Sequence, residues 1–253
     1  MIEKIKEELR WIKPYKLLGK GNKADGFFFG LGIIFNDLQG LRLLERDFRE
    51  KYQKPDLNEP TVELGNYAGI LIQIHRVAAG IINEFFIFLR KNNEIMTSPE
   101  VLEIIGSLTL SERDLWDRLG AISRGDIIEA SDFLETLAII RSNLSFHYDN
   151  SGKILKRGFS SYFFGESKKG VNERAYYLLD DIPEARFYFC DAAAQEAMYM
   201  AAGKQIKKLM SEDPSAEKYH SQITQSVVTI NLAIRTLLDK FIKFRRNLPD
   251  LPN

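Results

Sequence analysis

From Thr61 to Asn92 the chain runs without a proline and carries Leu64, Ile70, Leu71, Ile74, Ala78, Ile81, Ile82, Phe85, Phe86 and Leu89. Most steps along this set are of one, three or four residues, which gathers the side chains along a helix, whereas a strand would scatter them over both of its faces. The helix is apolar around much of its circumference, so it needs covering on several sides and belongs at the centre of whatever the chain builds. Helical spacing recurs almost everywhere else, and no long Val/Ile/Thr alternation flanked by turn residues interrupts it. The expected fold class is all-α, an antiparallel helical bundle of long helices.

Punctuation sets the order of those helices. A short helix near Ile2 to Ile12 precedes the turn Gly19-Lys20-Gly21-Asn22, a helix from about Ala24 to Tyr52, and the breakers Pro55, Asn58 and Pro60. After the central helix, Ser98-Pro99-Glu100 and Ser111-Glu112-Arg113 read as starts of short helices, an insertion between the long ones. A further helix spans about Asp126 to Tyr148 with Phe133, Leu137, Ile140 and Leu144 as its core stripe, and Asp149-Asn150-Ser151-Gly152 stops it. The stretch from about 150 to 172 reads as an irregular basic and aromatic loop. Helices resume from about Pro183 to Met210 and from about Ala216 to Arg246. With no internal repeat and no clear linker, residues 1–253 read as one domain.

A hydrophobic fraction of 45% is ample for a real core. Thirty-five basic residues balance thirty-five acidic ones, so attraction for a polyanion has to come from a local patch. Cys190 is the only cysteine, which excludes an intrachain disulfide and a cysteine-based zinc site. Together with a charged start from Met1 to Lys13 it points to the cytoplasm. The apolar run Phe27 to Phe35 is short against the roughly 20 residues that span a bilayer. It gives way to Asn36, Asp37, Gln39 and Arg42, so an amphipathic helix is expected there and no membrane partner.

Chemistry concentrates in Arg141-Ser142-Asn143-Leu144-Ser145-Phe146-His147-Tyr148-Asp149-Asn150. Histidine titrates near neutral pH, so His147 suits taking a proton from a ribose 2′-hydroxyl or giving one to a departing 5′-oxygen. Arg141 is permanently charged and fork-shaped, suited to holding phosphate and the charge that builds on it. Ser142 and Asn143 add hydrogen-bonding groups, and the set needs no metal or other cofactor. Six residues at about 100° each place Arg141 and His147 roughly 120° apart around an α-helix, on opposite borders of the core stripe. A joint site therefore requires the helix to unwind near Phe146, or an arginine and a histidine from two subunits. The other reading is a plain helix end, with His147 bonded to nearby backbone and Arg141 paired to an acid on the next helix.

The segment resembles the Arg-x(4–6)-His signature of the HEPN superfamily (higher eukaryotes and prokaryotes nucleotide-binding domains). That resemblance implies an all-helical fold and a metal-independent ribonuclease of a toxin–antitoxin or defence setting, with Arg141 and His147 as the catalytic pair. It also implies a site at a homodimer interface, RNA as substrate and an antitoxin or other protein as partner. Where the family usually has a polar residue directly after the arginine, this chain has Ser142 and then Asn143. The order His147-Tyr148-Asp149 lacks the His-x-Tyr of relatives that modify nucleotides or antitoxins. The alternative is a noncatalytic helical interaction or scaffold protein whose long apolar helices serve self-association.

Next to the motif, Lys153, Lys156, Arg157, Lys168 and Lys169 interleave with Phe159, Tyr162, Phe163 and Phe164. Such a mixture meets phosphates and stacks bases, and equally suits aromatics that plug a bundle while lysines face water. Di-metal carboxylate bundles carry Glu-x-x-His on two helices, and this chain does not carry it twice. His75, amid Ile70, Leu71, Ile72 and Ile74, reads as a hydrogen-bonded core histidine, His220 as exposed, and Cys190 as a buried thiol. The glycines Gly19, Gly21, Gly26, Gly30 and Gly32 lack the Gly-Lys-Ser/Thr ending of a phosphate loop. Gly26, Gly30, Gly65 and Gly69 and the small residues of Cys190 to Ala197 read as sites of close helix packing, the last at a dimer interface.

Overall fold

The computed structural model describes residues 12–17, 23–52, 61–145, 153–165, 175–178, 186–206 and 216–248. The expected short helix at Ile2 to Ile12 lies almost wholly outside them. Among the described residues the chain is helical, with one isolated antiparallel bridge, Leu178 to Arg186, and no strand. The elements are α1 (Pro14–Leu17), α2 (Lys23–Lys51), α3 (Val62–Lys91), α4 (Asn93–Met96), α5 (Pro99–Gly106) and α6 (Leu110–Arg124). A 3-10 turn (Ile128–Ala130) then leads to α7 (Ser131–Ile140), a π turn (Arg141–Ser145), α8 (Lys153–Phe164), α9 (Tyr188–Ile206) and α10 (Ala216–Asn247).

Local chemistry fixes several of these boundaries. The Thr61 hydroxyl caps α3 by accepting from the Leu64 amide at 3.1 Å. The start of α6 falls two residues before the expected Ser111, because Thr109 and Glu112 form a reciprocal capping box. Gly125 ends α6 in the left-handed region at φ 82°, a conformation glycine adopts without a Cβ clash. The stretch expected to be an irregular loop from 150 to 172 instead contains α8, a twelve-residue helix. Its apolar side has a ready partner in the small residues of α9, and tertiary contact outweighs the local composition.

α3 occupies the middle, with Ile82, Phe85 and Leu89 fully buried. α2 runs antiparallel to it: Phe27 stacks on Phe88 at one end, and Phe48 meets Tyr67 at the other. α10 runs antiparallel to α2, with Phe28 on Phe241 and Asn231 near Gln39. The short helices α4 to α6 close one end of the core through Val101, Ile104 and Trp116. A Cβ at Gly30 would strike the Phe88 ring and one at Gly158 the Ala193 carbonyl oxygen, so α2–α3 and α8–α9 approach closely at those two glycines. Gly26, expected to serve the same end, has open space around it. The small residues Ala193, Ala194 and Ala197 are buried within this chain, with Ala193 and Ala197 against Gly158 of α8, rather than waiting for a second subunit.

Two features follow from composition within this frame. Asp25, Glu100 and Arg245 form an ion triad beneath the surface, with the Arg245 guanidinium 5.3 Å from the Phe241 ring centroid. α2 and α3 also each contain a stretch apolar enough, and sit in a helix long enough, to cross a bilayer by length and composition alone, at mean hydropathies of 1.3 and 1.4. The apolar run expected to be too short is thus part of a longer one. In α3 that stretch is 56% buried in the bundle, as for a core helix, and in α2 it is 22% buried, with Phe29 and Ile33 facing outward.

Candidate functional site

Leu137, Ile140 and Leu144 seal α7 and the π turn against the core, and Phe133 packs at its edge. That stripe leaves Arg141 at its border. There the Arg141 Nε donates to Glu84 Oε1 of α3 at 2.5 Å. Glu84 takes only this edge, and the two Nη groups make no hydrogen bond among the described residues. Arg141 is thus paired to an acid of another helix, while half of its donor fork remains open.

The helix does not stay α-helical through the motif. From Arg141 to Ser145 it widens to π geometry, in which hydrogen bonds reach five residues instead of four. Side chains bond backbone carbonyls in and beside that turn: Asn143 Nδ2 donates to the Ile139 carbonyl at 2.8 Å, and Ser145 Oγ to the Arg76 carbonyl at 2.5 Å. Asn143 is therefore spent on its own helix, whereas Ser142 is exposed. The unwinding expected near Phe146 has a counterpart a few residues earlier. His147 lies outside the described residues, as do Lys168 and Lys169.

Lys153, Lys156 and Arg157 are exposed on α8 and share an outer stripe with Ser160 and Phe164. Tyr162 is turned away from it, half-buried with its ring edge against Phe163. Phe159 meets Phe163 and Phe189, so these aromatics pack the α8–α9 pair, while Phe164 is 74% exposed. Arg157 also lines a groove of about 480 Å³, including space open to solvent, with Ile139, Ile154, Ala197, Met200 and Ala201. The basic stripe therefore borders the helix that leads into Arg141.

A second polar cluster joins α2, α3, α9 and α10. His75 is buried, with its ring 4.4 Å from that of His220, and Tyr199 OH lies 3.0 Å from His220 Nε2. Gln195 donates to Tyr199 at 2.5 Å, and Arg49 grips Glu45 through two nitrogens. Glu45 Oε1 sits 3.5 Å from His75 Nε2, at an alignment that falls short of a hydrogen bond, so neither ring nitrogen of His75 has a hydrogen-bond partner among the described residues. The expected hydrogen bonding of this histidine is absent there. The His75 imidazole and then Arg49, against the opposing effect of burial, hold Glu45 down to about 2. Burial first, then the neighbouring His75 and Arg49, pushes His220 down to about 4.

His220 was expected to be exposed, and it is half-buried because α10 lays it against His75, far away in sequence. Cys190, expected to be buried, is exposed in the first turn of α9, and its thiol is pushed up by partial burial and by Asp191. The one local signal for the cluster was the histidine in an apolar run, His75. Among the described residues no three His, Cys, Asp or Glu side chains gather closely enough to hold a metal ion.

No family model, curated protein or solved structure matches this chain. What the motif can do chemically follows from its own geometry: an arginine anchored on one edge and open on the other, at a break in helical register, beside an exposed basic stripe.

Proposed function

We propose that this chain is a HEPN-like, metal-independent ribonuclease, with Arg141 stabilising phosphate and His147 as general acid/base. The observation that supports it most is the grip of Glu84 on the Nε edge of Arg141, which steers the guanidinium and leaves its Nη groups for two phosphate oxygens. In the reaction the ribose 2′-oxygen attacks phosphorus and the bond to the 5′-oxygen breaks. The proton leaving the 2′-hydroxyl or the one joining the 5′-oxygen passes through His147. The ends formed are a cyclic phosphate and a 5′-hydroxyl. Lys153, Lys156 and Arg157 track the strand along α8, and Ser142 is the polar helper, since Asn143 is committed to Ile139. A homodimer, an antitoxin-like partner and a cytoplasmic toxin–antitoxin or defence role belong to the same reading.

Purified protein should cleave RNA in excess EDTA and leave cyclic-phosphate ends. Arg141→Ala and His147→Ala should each abolish this while melting normally. Cleavage equal to wild type in both variants, or none by the wild type across varied RNAs, refutes the reading.

A second reading is favoured by α2, whose outward side carries Phe29, Ile33 and Leu44, at 42%, 62% and 54% exposure. Here the chain is a noncatalytic interaction protein that pairs with a second copy through α2. It would size as a stable dimer indifferent to RNA, and Ile33→Asp would make it monomeric.

A further inference from the structure

Glycine weakens a helix more than any residue but proline, so a glycine inside one calls for a close approach. On α2, Gly30 has such an approach, with the Phe88 ring where its Cβ would stand. Gly26 and Gly40 are exposed and have nothing within 4 Å of that position. Neither takes a positive φ, so among the described residues nothing accounts for them. They do fall on a regular line. Gly26, Phe29, Ile33, Asn36, Gly40 and Leu43 follow one another by steps of three, four, three, four and three, the spacing of a coiled-coil seam, and all six are exposed. Leu31 and Leu38, on the opposite side of the helix, are fully buried. We propose that this line is a seam through which α2 pairs, antiparallel and in one register, with α2 of a second copy; this deepens the interaction reading above and rests on it.

Shape sets the direction. With the two helices antiparallel about an axis between Ile34 and Phe35, Gly26 meets Leu43 of the second copy, Phe29 meets Gly40 and Ile33 meets Asn36, and the same contacts recur beyond the axis. Each glycine leaves a notch that a large side chain fills. A parallel pair would set Gly26 against Gly26 and Gly40 against Gly40, leaving voids, and would set Asp47, next on the line, against Asp47. Charge and length set the register. Here Asp37, on the flank of the seam, lies beside Gly30 of the second copy. Sliding the copies by one heptad, so that Leu43 meets Ile33, brings Asp37 beside Asp37. The opposite slide carries Leu43 past the end of the other helix. In the favoured register the two Asn36 amides come within one turn of each other, where a polar pair fixes alignment. Asn36, Asp37 and Asp47 also disfavour lipid as the occupant, since a bilayer core offers them no partner.

One helix against one over about 26 Å is a small contact for a specific interface. The full chain should therefore pass from monomer to dimer between about 1 and 100 μM in sedimentation velocity. Ile33→Asp, and Gly40→Leu, which fills a notch, should each weaken association at least about tenfold. Both positions are exposed, so Tm should hold. Direction is read by cross-linking with Cys190 changed to serine. Phe29→Cys protein mixed with Gly40→Cys protein should be joined by a short bismaleimide. Neither should be joined to itself, because like positions lie about 16 Å apart along the axis. Self-joining of either variant would show a parallel or shifted pair and overturn the seam, while the interaction reading stands. A dimer that survives Ile33→Asp puts the interface elsewhere and overturns both. A wild type that stays monomeric also overturns both, and if it then floats with phosphatidylcholine vesicles, the face belongs to a lipid surface.

Discussion

Arg245 sits among Asp25, Glu100 and the Phe241 ring with almost no exposure, whereas Arg141 leans on Glu84 nearer the surface. Burial decides what each contact is worth. Arg245→Met removes the guanidinium that both Asp25 and Glu100 contact in the buried triad and should cost about 3–5 kcal/mol in urea unfolding. Replacing all three charges, with Asp25→Asn and Glu100→Gln added, should recover much of that, because well-packed neutral groups carry no such penalty. A single-variant loss under about 1 kcal/mol would mean that water reaches the triad. Glu84→Gln removes a screened pair and should cost at most about 1 kcal/mol. If Glu84 steers Arg141, kcat on RNA should fall about tenfold with KM little changed, since orientation is lost and charge is not. Unchanged kcat in steady-state cleavage would refute the steering role. None of these partners was legible in the sequence: Asp25 and Arg245 lie 220 residues apart, and Glu84 is one acid among many.

Close approach governs the pairing of α8 with α9. A Cβ at Gly158 would run into the Ala193 carbonyl oxygen and approach the Ala197 nitrogen to 2.9 Å, and neither backbone atom can rotate aside. Gly158→Ala should therefore destabilise the protein by about 1–3 kcal/mol and shift the basic stripe of α8. Thermal melting checks the first effect and RNA affinity the second; a variant that melts like wild type would mean that the two helices part freely. Long elements were readable because their signals are local: caps and turns placed α3, and periodicity placed α2 and α10 within a residue or two. The π turn was not, because Leu137, Ile140 and Leu144 satisfy the core stripe whether or not the register widens between them, and Ser145 finds its acceptor on another helix. α8 was missed for a related reason. Glycine, lysine and aromatic residues look irregular in isolation, and only the alanines of α9 give them a helix to pack against.

At the scale of the whole molecule, four helices meet at His75, His220, Glu45, Arg49, Tyr199 and Gln195, so protonation there acts on the bundle as a unit. An unfolded histidine titrates near pH 6.5, while His220 in the fold is pushed down to about 4. As pH falls through 6.5 the unfolded chain takes up this proton and the folded protein does not. The stability that His220 holds in its neutral form is complete above about 6.5 and is lost progressively toward pH 4. With allowance for its partial exposure, the loss is on the order of 2–3 kcal/mol. Glu45, held down to about 2 by His75 and Arg49, extends the decline: its contribution is present above its ordinary value near 4.5 and is lost as pH falls toward 2. Urea midpoints between pH 8 and 3 should therefore fall in two successive windows. His220→Gln should flatten the upper window and leave the lower, while Glu45→Gln should flatten the lower and, by removing a charge that favours the protonated His220, make the upper window at least as steep as in the wild type. A His220→Gln protein that follows the wild-type slope from pH 6.5 to 4 would mean that α10 does not hold this ring against His75 in solution.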